Sequence, residues 1–185
     1  MGTVTEPKVQ RSLGEQVSEC IAEAGPYRAR IMGLTWPKLF MLWEQLKKFR
    51  VLFSDLTKGD FDNFVRYVTS PDTFWLEIYN GGEVVGLVTL EGIERLVEAN
   101  AHVLFLDKHL ADKIDICKEI VKWLFGNFTF HRLTVEVPVN YYWSVRLVKE
   151  LGFKHEGRRR EVTLIEGKWV DSYTFGLLRQ EVEAS

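Results

Sequence analysis

Residues 106–120 read LDKHLADKIDICKEI and gather Lys108, His109 and Lys113 among Asp107, Asp112 and Asp115. To the left, AHVLFL reads as a buried strand. To the right, Ile114, Cys117, Ile120, Val121 and Leu124 recur at the spacing of one helix face. A strand running into a helix is a place where α/β proteins hold a phosphate, because the first N–H groups of the helix have no internal partner and its dipole favours an anion. This junction contains no glycine, and from Asp107 to Asp115 it carries three Asp against two Lys, a local charge of −1 with neutral histidine. Asp112 and Asp115 suit the first turn of the helix, where they would compete with a phosphate for the same donors. The pattern predicts a helix that caps itself.

The other reactive side chains have simpler roles. Arg158-Arg159-Arg160 lies between Glu156 and Glu161, which predicts a neutralised strand edge, with an anion site as the alternative. His131 and His155 stand at no metal-ligand spacing from any Cys, Asp or Glu, so no metal is expected. Cys20 and Cys117 are far apart, and Cys117 falls on the apolar face of its helix as a core thiol. A reducing, cytoplasmic setting fits that usage.

The elements that must position these groups follow from periodicity. Leu13, Val17 and Ile21 make a narrow stripe that predicts a helix over 10–24, docked on the body or on a partner and followed by a linker to about residue 30. Thr35-Trp36-Pro37 starts a second helix with Leu39, Leu42, Trp43 and Leu46 on one face, and a third follows Asp60. TFWLEIYN and EVVGLVTLEGI, joined at Gly81-Gly82, predict a hairpin. NAHVLFL is apolar on both faces and therefore central; a helix over about 112–125 closes at Gly126. RLTVEVPV, a helix over 144–151 and two strands joined at Glu166-Gly167-Lys168 complete the chain. The order is that of an α/β layered fold with a mixed sheet, in one domain over 31–185 behind a 1–30 extension. At 185 residues the chain is long enough for a real core, and its net charge of −2 argues against nucleic-acid binding driven by charge. Its apolar runs are too short to span a bilayer, and the N-terminus has no apolar signal region, so no membrane partner is expected.

Within SVRLVKELGFKHEGRRRE, Val145, Leu147, Val148 and Leu151 face a core, Gly152 ends the helix in the left-handed conformation, and Phe153 folds back onto Val148. Ser144, Leu151-Gly152-Phe153, Glu156-Gly157 and GKWVDSYTFGLL together resemble the C-terminal half of the GNAT N-acetyltransferases, closest to the branch that acetylates protein N-termini and small amines. The resemblance is clear over residues 98–180 and weak before them. It implies a GNAT-like layered α/β fold whose mixed central sheet, flanked by helices, splays between the family's fourth and fifth strands, with acetyl-CoA entering the split. It also implies an acyl-CoA-dependent N-acyltransferase acting on an amine of a protein or small molecule.

The resemblance also places the site. The family's Q/R-x-x-G-x-G/A phosphate loop lands on Lys108 to Lys113, with Lys108 in the basic slot, Ala111 in the first glycine slot and Lys113 in the last small slot. The loop length survives and the glycines do not, so alanine and lysine obstruct the backbone that a pyrophosphate would approach. Lys108, His109 and Lys113 could compensate with side-chain contacts. A backbone N–H near Val103 or Leu104 would hold the oxyanion. Glu98 matches a position where some relatives carry a catalytic glutamate able to deprotonate an amine through water; an exposed strand-edge glutamate is the alternative. His102 reads as a hydrogen-bonded core histidine or a resident of the cleft. Tyr141 takes a slot where the family often has asparagine, with Asn140 one residue early and Ser144 as the small residue that opens the next helix; Val148 takes the slot of the tyrosine acid. The altered loop leaves a second expectation: a GNAT-fold scaffold or interaction protein, of the kind seen in some tailed phages, that no longer binds acetyl-CoA. Its partner, or a second copy, would meet the N-terminal helix.

Overall fold

The computed structural model describes residues 19–47, 59–93, 97–106, 113–165 and 167–183. Eight strands form one sheet: β1 (Cys20–Ala24), β2 (Tyr27–Ile31), β3 (Thr73–Asn80), β4 (Glu83–Glu91), β5 (Glu98–Phe105), β6 (Arg132–Pro138), β7 (Lys154–Ile165) and β8 (Lys168–Leu178). Their spatial order is β1-β2-β3-β4-β5-β6-β8-β7, antiparallel throughout except for the β5–β6 pair. The helices are α1 (Trp36–Leu46), α2 (Phe61–Val68), α3 (Ile114–Asn127), α4 (Tyr142–Glu150) and the short α5 (Arg179–Glu183).

Each sheet face buries its own cluster under helices, a three-layer arrangement for a sheet apolar on both sides. On one face α3 contributes Ile116, Cys117, Ile120, Leu124 and Phe125, and α4 contributes Leu147 and Val148, against Phe74, Val88, Leu133 and Phe175. On the other, Leu39, Leu42, Trp43 and Leu46 of α1 and Phe64 and Val68 of α2 cover Met32, Trp75 and Leu87. The aromatic rings lock that second layer, with Trp43 and Phe64 centred 5.4 Å apart and Tyr67 edge-on to Trp75 at 5.5 Å. Asp60 caps α2, accepting from the Asn63 N–H at 2.9 Å.

The N-terminal expectation needs correction. Residues 20–24 are a strand, and β1 and β2 pair with each other and then with β3 as part of the sheet, crossing the boundary drawn at residue 30. Ala22, Tyr27 and Ala29 are buried around the Gly25-Pro26 turn. That is period-two burial made largely of alanine, which a search for β-branched residues passes over. Leu13 and Val17 lie outside the described residues. Helix α3 runs through Gly126 to Asn127 rather than closing at the glycine.

The C-terminal half matches its pattern closely. Gly152 has φ +89, its N–H donates to Lys149 O at 3.0 Å, and Phe153 N–H donates to Val148 O at 3.0 Å. These two bonds form the Schellman end that the Leu-Gly-Phe triplet requires, with Phe153 buried in the same cluster as Val148. Two of the run's arginines are paired, though not with the flanking glutamates: Arg158 donates to Asp171 at 2.7 Å and Arg159 to Glu136, while Glu156 holds Arg132. One residue seals the far end of α3. Arg179 donates through Nε to Phe130 O at 2.8 Å, through Nη2 to Phe128 O at 2.5 Å and through Nη1 to Phe125 O.

Candidate active site

β5 and β6 pair at only three positions, Glu98↔Arg132, Ala99↔Leu133 and Asn100↔Thr134, and then part. From Ala101 onward the backbone of β5 still pairs with β4 but turns its other edge to a gap. This explains why NAHVLFL, central as expected, is only half-buried over 101–104. The gap holds a small cavity of about 50 Å³, open to solvent and lined by Ala101, Val103, Cys117, Val135, Val148 and Phe153. Unpaired strand-edge amides beside an apolar wall suit a ligand that carries amide groups on a slender chain, since such a chain can add to the edge as a short strand. The pantetheine arm of coenzyme A has that chemistry, and the residues present fit it. Gly86 on β4 lets the two strands close behind the gap, because a Cβ there would stand 2.8 Å from Phe105 Cδ1 and 3.1 Å from Leu104 O.

At the paired base of the split, the Glu98 carboxylate accepts from Thr134 Oγ1 at 2.5 Å and lies 3.6 Å from Arg132 Nε. Arg132 in turn holds Glu156 at 2.6 Å. Glu98 is thus tied into a network rather than standing free on a strand edge. Two residues past the last β5–β6 pair, His102 places Nε2 3.6 Å from Glu91 Oε1 on β4, and Tyr67 of α2 donates its hydroxyl to the same oxygen. Burial pushes the Glu91 carboxyl up, but hydrogen bonding and charge from His102 and the bond from Tyr67 outweigh it, so the group sits below the usual carboxylate range. Burial, and then the Glu91 charge, push the Tyr67 phenol well above its ordinary value.

The opening junction is placed in part. Lys108, His109, Ala111 and Asp112 lie outside the described residues. Lys113 is fully buried, and its ammonium sits over the rings of Tyr27 at 5.6 Å and Phe105 at 5.3 Å. The side chain that stands in a glycine slot therefore turns into the core and neither obstructs a phosphate nor reaches one. Its backbone, with φ −107, needs no glycine. Asp115 is 83 % exposed and lies 3.9 Å from Lys118, rather than folding back over the first turn. On the opposite side of the split, Ser144 is half-buried in the first turn of α4, Asn140 is exposed in the turn before it, and Tyr141 is the residue preceding the helix. Val148 lines the gap where the family's acid would stand. Among the described residues no group of three or more His, Cys, Asp or Glu is placed to hold a metal, and no helix is long and apolar enough to cross a membrane.

Sequence reasoning passed over Glu91 and Tyr67 altogether. Their only signal was negative: a glutamate closing an apolar strand and a tyrosine on an amphipathic helix look like surface residues until the sheet register brings both to His102.

Residues 46–174 match the family model described as an acetyltransferase (GNAT) domain. No curated protein matches the sequence. Among solved structures the fold is similar to spermidine N-acetyltransferase from Vibrio cholerae in complex with CoA and spermine, with a TM-score of 0.70 and 16 % identity, covering 85 % of this chain and 98 % of that one. It is also similar to a dodecameric form of the Vibrio cholerae enzyme, at TM-score 0.69 and 16 % identity over 84 % and 95 % of the two chains. A third likeness is to RimL, a ribosomal L7/L12 alpha-N-protein acetyltransferase in complex with coenzyme A, at TM-score 0.72 and 11 % identity over 88 % and 99 %.

Proposed function

We propose that this chain, which belongs to the GNAT acetyltransferase family, moves an acetyl group from acetyl-CoA to a cationic primary amine that enters from the α1–α2 side of the split. The observation that carries this reading is the early end of the β5–β6 ladder after Asn100↔Thr134. It leaves a strand edge for the pantetheine amides, with an apolar wall on the α3–α4 side. A face bearing Glu91, Glu98 and His102 lies on the other side. The thioester carbonyl sits at this edge, where the backbone N–H of Val103 or Leu104 is the donor for the oxyanion. Glu98, fixed by Thr134 and Arg132, contributes negative charge at the base of the split and draws an ammonium toward it. The relatives by fold act, by their descriptions, on spermidine and on a protein N-terminus. Both present a primary amine that is positively charged at neutral pH, which is the acceptor class proposed here.

The phosphate loop sets the affinity. Its sequence supplies no glycine and more acid than base, so acetyl-CoA binds weakly, with a Kd on the order of 0.1 mM or above. Lys108 and His109 are the remaining side-chain contacts, with Ala111 between them and the helix and with Ser144 and Asn140 on the α4 side. Calorimetric titration with acetyl-CoA tests this. Saturable binding near that strength supports the reading, binding at a few micromolar overturns the weak loop alone, and no binding at millimolar acetyl-CoA returns the non-catalytic scaffold.

A further inference from the structure

We propose that His102 is the general base of the transfer and that Glu91 and Tyr67 are the residues that position it; the inference rests on the acetyl-transfer function above. His102 stands on β5 two residues beyond the last rung that joins it to β6, with its side chain on the sheet face opposite the apolar wall. Its side chain is 36 % exposed, so an incoming amine can reach it. The register pairs His102 with Thr89, which brings Glu91, two residues along β4 and on the same face, beside the imidazole. Nε2 lies 3.6 Å from Glu91 Oε1, an ion-pair distance that a small rotation of either side chain closes to a hydrogen bond. With the Nε2 proton directed at a carboxylate, the lone pair is held on Nδ1, the nitrogen left for the amine.

The other groups support that arrangement. Glu91 is held below the usual carboxylate range and stays ionised at neutral pH, so it fixes the tautomer and stabilises the imidazolium that forms. The Tyr67 phenol, pushed up by burial and by the Glu91 charge, stays protonated and remains a donor to Glu91. Farther along this sheet face Glu98 on β5 and Arg132 on β6 hold each other and Thr134, Arg132 also holds Glu156, Glu136 pairs with Arg159, and Lys38 of α1 pairs with Glu77 of β3. Glu98 is occupied on both sides, by Thr134 and by Arg132.

The step balances as follows. His102 Nδ1 takes one proton from the ammonium and later releases it to solvent. The freed nitrogen lone pair forms the N–C bond to the thioester carbonyl carbon. The C–S bond then breaks with its electron pair on sulfur, and the second nitrogen proton goes to that sulfur, giving the amide and the free thiol of coenzyme A.

The test uses the full chain with acetyl-CoA and either spermidine or a tripeptide with a free N-terminus, following thiol release. His102→Gln should lower kcat by about 10²-fold or more, with the calorimetric Kd for acetyl-CoA within about twofold of the parent. Imidazole added to the buffer should restore part of the rate to His102→Gly and none to His102→Gln. Glu91→Gln and Tyr67→Phe should lower kcat by smaller factors, and in Glu91→Gln the ¹⁵N spectrum of the ring should lose the preference for the Nε2–H tautomer. A kcat for His102→Gln within twofold of the parent, failure of imidazole to rescue His102→Gly, or an unchanged tautomer in Glu91→Gln overturns the inference. If the variants do not fold, or neither amine is turned over, the ring spectrum of the unaltered protein decides: an Nε2–H neutral imidazole whose Nδ1 signal responds to acetyl-CoA supports it, and an Nδ1–H imidazole overturns it. Failure to bind acetyl-CoA at all is separate and removes the function on which the inference rests.

Discussion

Changing Gly152 to alanine isolates one term of the helix-end energetics. The glycine has φ +89, and a Cβ built on it meets nothing nearer than Leu177 Cδ1, at 3.8 Å. That is ordinary contact, so no neighbour has to move. Both backbone bonds of the Schellman end involve main-chain atoms that alanine retains. What remains is the strain of an L-residue in the left-handed region, about 1–2 kcal/mol. Against it stands the smaller entropy of the unfolded alanine chain, which favours the variant by about 0.4–1 kcal/mol. The net loss is about 1 kcal/mol, or roughly 2–4 °C in Tm for a domain of this size. Gly152→Asn provides the control, because asparagine tolerates the left-handed region better than alanine. Urea unfolding and differential scanning calorimetry of the three proteins at one pH measure the effect. An alanine variant as stable as the parent, or an asparagine variant no better than the alanine one, would refute the conformational account.

Gly86→Ala should be costlier, about 1–3 kcal/mol of overpacking, since its Cβ would stand 2.8 Å from Phe105 Cδ1 and 3.1 Å from a backbone carbonyl; calorimetry should also show weaker acetyl-CoA binding, and an unchanged Tm and Kd would sink this. Burial pushes the Cys117 thiol up to about 12, with the Lys113 charge a smaller opposing influence, so it should be inert in the native state. A thiol reagent at pH 8 should therefore titrate one cysteine, the half-buried Cys20, and a second only in denaturant; two rapid equivalents in the native protein would contradict the packing of α3. Glu91 is held below the ordinary carboxylate range by His102 and Tyr67 against the upward push of burial. Asp171 is lowered first by the Glu161 N–H and then by Arg158, and Glu181 by Lys154 and the Leu178 N–H. A lowered folded value means stability that is present above the unfolded carboxylate range, near pH 4, and is lost as pH falls through the folded values. The urea midpoint should decline below about pH 5; a midpoint that rises on acidification would reverse the assignment.

How much of this was legible depended on whether the signal was local. The end of α4 was legible because Leu151, Gly152 and Phe153 carry the whole motif within one turn. The start of α1 at Thr35-Trp36-Pro37 and the hairpin at Gly81-Gly82 were legible for the same reason. The β1–β2 hairpin was not, because alanine at Ala22, Ala24 and Ala29 packs against α3 without the bulky alternation that marks a strand. Lys113 shows the limit from the other side. A lysine in a polar junction reads as solvated, yet in the fold Tyr27, from far back in the chain, and Phe105 face its ammonium inside. The candidate base was half legible: His102 was noted in its strand, but its partners come from a helix and another strand, and only the β4–β5 register puts Glu91 beside it.

The Arg179 clamp bears on how the molecule is made. The carbonyls it binds lie 49 to 54 positions earlier in the chain. During synthesis α3 leaves the ribosome well ahead of the guanidinium that secures its last turn, and ahead of β8, which pairs with β6 from Arg132↔Leu178 to Pro138↔Ser172. Such long-range closure is slow compared with helix formation. The wall of the split is therefore finished late, after nearly all of the described chain has been translated, and until then its apolar lining is open to the chaperones that attend nascent polypeptides.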